Sequence, residues 1–201
     1  MRTVLAASAA AIGCAGASLA AEAGFYGAET FSVDYELTGA ESGAITEHVR
    51  SWGALRAELI STQISFSGFE EATEQRVVYD GARVVTIDLA TGATTIAGSA
   101  GPSGAEQGSA GGASGAEALA AMGGAATGRT EAYAGFDCEV WDLPALSSEV
   151  CVTEEGITLH AFTQIGGLTS ERTAVEVRMG DGGPDAAFDY DAAAASQPPD
   201  F

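Results

Sequence analysis

The sequence contains no lysine and no asparagine, and its eight basic residues, all arginine, face 28 Asp and Glu. The absence of lysine excludes P-loop, Schiff-base and kinase-type lysine chemistry. The formal net charge of −20 disfavours binding to nucleic acid or anionic lipid headgroups, because both need cations that neutralise phosphate. Nucleic acid is therefore the least expected partner.

Long hydrophobic runs are also missing. The longest apolar stretch, Val4 to Gly16, follows Arg2 and precedes small residues up to Ala20, and it is too short to span a bilayer. This pattern predicts a signal peptide over residues 1–20, cleaved after Ala20, and no transmembrane segment. The expected location is the periplasm. A lipoprotein anchored at Cys14 is the alternative, because residues 11–14 resemble a lipoprotein box.

Cysteine is scarce, and cleavage after Ala20 leaves only Cys138 and Cys151. An even pair in an oxidising compartment predicts a disulfide. The residues between the two cysteines favour two strands around a turn at Pro144-Ala145. This register places Cys138 directly opposite Cys151.

Residues for catalysis or metal binding form no constellation. The two histidines, His48 and His160, stand apart from other ligand types, and the acidic tail lacks the spacing of a calcium loop. No Gly-X-Ser-X-Gly motif occurs. We therefore expect no catalytic residue, no metal and no cofactor, and a protein that is not an enzyme.

Strict alternation of apolar and polar residues is the dominant pattern. It is cleanest over residues 31–37, and it recurs from residue 55 to residue 179. The dipeptide Asp80-Gly81 between two valine-rich runs is the strongest hairpin signal. Successive strands joined by short turns predict a mainly β protein with an antiparallel meander and one or two short helices. The sheet is expected to be a curved half-barrel, with a β-sandwich as the alternative.

Two segments depart from this pattern within a single predicted domain, residues 21–190. Residues 98–128 are rich in Gly and Ala, which predicts a flexible insertion, with a short helix possible over 115–123. Residues 191–201 are expected to form a loose C-terminal tail.

The apolar strand faces have little helix to cover them, so they predict either a ligand cavity or a filled core. The candidate cavity-lining residues are aromatic or aliphatic and come from several predicted strands. They are Trp52, Leu55, Leu59, Phe66, Val85, Ile87, Trp141, Leu159, Val175 and Val177.

Several segments together resemble a family of secreted bacterial proteins of unknown function. The segments are WGALRAEL (52–59), VVYDGARVVTIDLA (77–90), AGFDCEVW (134–141), CVTEEGITL (151–159), residues 173–179 and Phe188. This family is similar in fold to the lipoprotein-sorting factors LolA and LolB. The resemblance implies an antiparallel half-barrel closed by short helices around an apolar cavity. The insertion at 98–128 departs from it, in the place of a lid helix.

Three functions follow as hypotheses. The first is a non-catalytic periplasmic protein that binds an apolar ligand, such as an acyl chain, a lipoprotein or a hydrophobic peptide, in a half-barrel cavity. The second is an envelope structural or protein-interaction module with a filled core and no ligand. The third is a hydrolase.

Overall fold

The computed structural model describes residues 25–66, 68–81, 83–98 and 115–191. The strands and the helix are β1 Phe31–Gly39, β2 Glu41–Arg50, β3 Leu55–Phe66, β4 Phe69–Tyr79, β5 Arg83–Asp88, β6 Thr94–Gly98, α1 Gly115–Ala121, β7 Ala125–Tyr133, β8 Phe136–Leu143, β9 Ser148–Val152, β10 Thr158–Ile165 and β11 Leu168–Met179. Short 3-10 turns lie at Ser51–Gly53, Pro144–Leu146 and Asp185–Ala187. The eleven strands form one antiparallel sheet in the order β6-β5-β4-β3-β2-β1-β11-β10-β9-β8-β7.

The predicted mainly β, antiparallel class is confirmed, and the sandwich alternative is wrong, because all eleven strands belong to one open sheet. The first and last strands pair at its middle, where Val33 faces Val177. Hairpin connections then extend outwards from this pair on both sides. Within the described residues, no helix has the length and hydropathy needed to cross a bilayer.

The sheet is strongly curved on its β7 side. The rings of Tyr133 in β7 and His160 in β10 are stacked, with centroids 4.8 Å apart and planes 4° from parallel. Two strands lie between β7 and β10, so a flat sheet would hold their backbones about 14 Å apart. The sheet must therefore curl to bring the two rings together, which agrees with the half-barrel architecture predicted above.

The disulfide between Cys138 and Cys151 is confirmed, with the two Cα atoms 5.3 Å apart. The predicted register is wrong. Cys151 faces Val140, so the disulfide joins diagonal positions of β8 and β9. The cause lies in the turn, where Pro144–Leu146 form a 3-10 turn and Ser147 adopts a positive φ of 51°, which makes the connection longer than the predicted two-residue turn.

The Gly/Ala-rich stretch 98–128 contains more regular structure than its composition predicts. Residues 115–121 form α1, where a short helix was expected, and β7 begins at Ala125. Leu119 of α1 packs with Leu143 and Val152, which supplies the apolar contact that so short a helix needs. Residues 115–121 and 125–128 therefore have regular secondary structure, while residues 99–114 lie outside the described residues.

Two faces of the sheet are distinguished by the residues they carry. We name the first the Tyr35 face, after β1, where Phe31, Val33, Tyr35 and Leu37 are all buried in the main core. The opposite side is the Ala57 face, where Ala57, Val78, Val85 and Ile87 form a second core with Ala187 and Phe188. Residues 180–190, the C-terminal strap, therefore cover part of the Ala57 face.

Candidate functional site

The Tyr35 face carries a buried polar network at its centre. The carboxylate of Glu47 in β2, a residue only 5% exposed, accepts hydrogen bonds from Tyr26 Oη at 3.3 Å and Tyr35 Oη at 3.2 Å. The Tyr35 hydroxyl also lies 2.9 Å from the carbonyl oxygen of Thr158. Burial, and then the charge of Glu47, raise the pKa of Tyr35 well above its usual value, so the phenol stays a donor. These hydrogen bonds satisfy the buried carboxylate.

Arg56 in β3 lies between two carboxylates of this network. Its guanidinium is 3.8 Å from Glu47 and 3.7 Å from Glu58, and it stacks 3.9 Å above the Tyr79 ring. Glu47 and Glu58 are directly opposite on neighbouring strands, so Arg56 offsets a like-charge pair. Burial raises the pKa of Glu58, although the guanidinium acts to lower it. The network thus places one buried arginine between two buried carboxylates.

A serine and a histidine are in contact beneath the C-terminal strap, and no sequence motif predicts this contact. Ser32 Oγ lies 2.8 Å from His48 Nδ1 and donates to the carbonyl oxygen of Asp181 at 2.6 Å. Because the Ser32 hydroxyl donates its proton to the Asp181 carbonyl oxygen, Ser32 accepts the hydrogen bond that it shares with His48. A serine nucleophile needs the opposite direction, in which the serine donates to the histidine. Ser32 is fully buried, so this pair anchors the strap.

His48 is also the basis of a pH prediction. Burial and then the charge of Arg178 lower its pKa, against the opposing effects of Asp181 and Asp34. The unfolded chain, with a histidine pKa of about 6.5, therefore takes up a proton before the native state does. We expect the free energy of unfolding to fall as the pH drops below about 6.5. The full decrease is about 1.4 kcal/mol for each pH unit by which the pKa of His48 in the native state lies below its pKa in the unfolded chain.

The measurement is urea unfolding at a series of pH values between about 7.5 and 5.5, for the wild type and His48→Gln. The variant should show a smaller decrease over this range than the wild type. Parallel stability curves for the two proteins would contradict the prediction.

The other histidine lies in β10. His160 Nε2 is 2.9 Å from Glu171 Oε1, and its ring stacks on Tyr133. Within the residues the structure describes, no group of three or more His, Cys, Asp or Glu side chains is placed to hold a metal ion. These contacts connect strands of the curled half of the sheet.

The residues predicted to line a cavity are distributed over several parts of the molecule. Leu159 is in the main core, Val85 and Ile87 are in the second core, and Leu55 packs against the latter. Trp141 packs beside α1, and Val177 borders the main core. Trp52, Leu59 and Val175 are 45%, 36% and 55% exposed. Phe66 ends β3, and its side chain is outside the described part.

An exposed apolar surface lies instead at one end of the Tyr35 face. Two long hairpins, β3–β4 and β10–β11, extend past the shorter β1–β2 hairpin, whose Glu41 faces Ile64 and whose Gly39 faces Ser170. Strand register places the exposed apolar side chains near the tips of both long hairpins on the Tyr35 face. We name these side chains the apolar patch. They are Ile64, which is 38% exposed, Phe69 (56%), Ile165 (64%) and Leu168 (42%).

The apolar patch continues the buried core outwards. Along β1 the apolar positions Val33, Tyr35 and Leu37 lead towards the end where the long hairpins project. The two hairpins are separated by three strand spacings, about 14 Å, which is slightly wider than one helix with its side chains. A single polypeptide segment therefore fits between them on this face.

Fold and surface together define a class: a single open antiparallel sheet with a buried apolar core and an exposed apolar end. No family model and no curated protein matches the chain. Among solved structures, the chain is similar to MucB, with 15% identity and a TM-score of 0.45 over 86% of this chain and 60% of that one. It is also similar to a chain of the Pseudomonas aeruginosa MucA/MucB complex, with 13% identity, a TM-score of 0.41, and 81% and 56% covered.

The chain thus spans about three-fifths of the length of the MucB structure. At these identities the likeness concerns the arrangement of the strands only.

Proposed function

We propose that the protein is an exported, non-catalytic binding protein of the bacterial envelope, and that its apolar patch binds an apolar segment of another polypeptide. The predicted signal peptide and the disulfide support export into an oxidising compartment. The observation that carries the proposal is the exposure of Phe69 and Ile165 at 56% and 64%, on a face whose β1 side chains Phe31, Val33, Tyr35 and Leu37 are buried.

A polypeptide fits this surface better than an acyl chain does. Tyr35, Phe31 and Leu159 fill the centre of the core, with exposures of 2% or less. An acyl chain needs a concave site that encloses most of its surface, whereas the apolar patch is an open face between two hairpins. The proposal therefore takes the protein-interaction hypothesis and gives it a site at the hairpin end.

Binding is tested with two probes, a neutral amphipathic peptide of Leu, Ser and Gln, and palmitate. We expect the peptide to bind the wild type, and the double substitution Phe69→Ser with Ile165→Ser to weaken binding at least about tenfold, since truncated anchors commonly cost over 1 kcal/mol each. Isothermal titration calorimetry measures both affinities. Val175→Ser is the matched control, because Val175 is 55% exposed but lies away from the patch.

Equal peptide affinity in the wild type and the double variant would contradict the proposal, provided that both proteins melt at the same temperature. Binding of palmitate that depends on the apolar patch, without binding of the peptide, would replace the polypeptide with an acyl chain.

A further inference from the structure

We infer that the segment bound by the apolar patch is cationic, with Arg or Lys side chains flanking its apolar residues. The inference rests on the proposed function, and it specifies the partner by charge. It starts from the two strands next to Ile64. Glu41 of β2 and Glu71 of β4 are both directly opposite Ile64, one on each side. An exposed apolar side chain is thus bordered by two carboxylates at cross-strand distance.

No cation among the described residues neutralises these two carboxylates. Neither Glu41 nor Glu71 has an ion-pair partner within the described part of the chain, and Glu71 is exposed. Glu70 is directly opposite Ser65 and therefore points to the other face of the hairpin. The mutual repulsion of Glu41 and Glu71 is therefore unrelieved by the protein itself, and a bound cation would relieve it.

The arginines of this chain are all engaged elsewhere. Every one of the seven that follow the predicted signal peptide contacts carboxylates, backbone carbonyls or an aromatic ring of the protein. Their partners are Asp185 for Arg50, Glu47 and Glu58 for Arg56, the carbonyls of Ala186 and Asp189 for Arg76, Asp80 for Arg83, Glu131 and Glu149 for Arg129, the ring of Tyr35 for Arg172, and Asp34 for Arg178. The cation that complements the hairpin end must come from the partner.

The positions of these groups define a recognition pattern. Glu41 and Glu71 are separated by two strand spacings, about 10 Å, with Ile64 between them. An apolar residue seated on Ile64 and Phe69, with basic residues on either side, would meet apolar surface at its centre and carboxylates at its edges. Such an arrangement contributes more to partner selectivity and to the rate of association than to affinity. The electrostatic attraction weakens as the salt concentration rises.

The test compares three peptides of equal length that combine Leu with Arg, Leu with Gln, or Leu with Glu. At low salt we expect the Arg peptide to bind the wild type about tenfold more tightly than the Gln peptide, and the Glu peptide to bind most weakly. The advantage of the Arg peptide should shrink as sodium chloride is added.

A pair of charge-matched variants locates the effect. Glu41→Gln with Glu71→Gln should remove most of the preference for the Arg peptide. Glu154→Gln with Asp137→Asn removes the same amount of charge at exposed positions away from the patch, and it should leave the preference intact. Surface substitutions of this kind leave the fold unchanged, which equal melting temperatures would verify.

The outcomes separate this inference from the proposed function. If all three peptides bind with equal affinity and the apolar-patch variant abolishes binding, the binding function stands and the cationic partner is wrong. If both charge-matched variants reduce the preference equally, net charge explains it and the local inference is overturned. If no peptide binds, the binding function and the inference both fail.

Discussion

Replacing Arg56 with Met is expected to lower the free energy of unfolding by about 3–5 kcal/mol, the cost of breaking a buried ion pair by removing one partner. The side chains of Arg56, Glu47 and Glu58 are only 12%, 6% and 14% exposed. Without the guanidinium, two carboxylates face each other across neighbouring strands at a site with little access to water. The Tyr79 ring also loses the cation stacked on it.

Urea unfolding of four proteins measures this effect: the wild type, Arg56→Met, Glu58→Gln and the double variant. Because burial already raises the pKa of Glu58, Glu58→Gln alone should cost little. Arg56→Met should then be less harmful in the Glu58→Gln background, since one of the two facing charges is gone. Equal costs of Arg56→Met in both backgrounds would refute the explanation.

Arg129→Met serves as the matched control. Arg129 is 50% exposed and pairs with Glu131 and Glu149 at the surface. Exposed ion pairs contribute about 0–1 kcal/mol, so its loss should be small. A comparable loss of stability in both arginine variants would mean that the buried position of Arg56 has no special role.

The sequence predicts the strands that alternate cleanly and the hairpin that carries a strong turn signal. β1 follows the alternation of residues 31–37, and β4 and β5 pair around Asp80-Gly81, with Val78 facing Val85. In these elements local pattern and tertiary structure agree, because the period of two matches a strand with one buried face.

β2 has no such signal, and the reason is physical. Its residues Glu47, His48 and Val49 are all buried, so the strand is covered on both faces and polar side chains point into the protein on each. Glu47 is satisfied by two tyrosines, and His48 lies under the C-terminal strap. Partners this distant in sequence leave no local pattern, so alternation cannot indicate the strand.

The candidate site illustrates the same limit. The residues predicted to line a cavity are aromatic or aliphatic, but the burial of an apolar side chain depends on what covers it. Val85 is covered by the strap, whereas Phe69 is uncovered because its hairpin extends past β1 and β2. Hairpin lengths and strand order decide this, and neither follows from composition.

Replacing Phe188 with Ala is expected to cost about 3–5 kcal/mol, as for other buried phenylalanines. Phe188 is 9% exposed, packs in the second core, and lies 4.4 Å beneath the guanidinium of Arg50. Arg50 also donates from Nε to the carbonyl oxygen of Gly182 at 2.9 Å and pairs with Asp185. The loss of the ring therefore loosens the strap as well as opening a cavity on the Ala57 face.

Phe69→Ala is the matched control, since it removes the same ring from a position that is 56% exposed. Its cost in urea unfolding should stay below about 1 kcal/mol, because little surface is buried there. If the strap were an appendage resting on a sheet that is stable without it, the two substitutions would have similar small effects. A large cost for Phe188→Ala alone means that the chain after β11 belongs to the folded core and covers its part of the Ala57 face. The apolar patch at the hairpin end of the Tyr35 face then remains the surface that we propose for a partner.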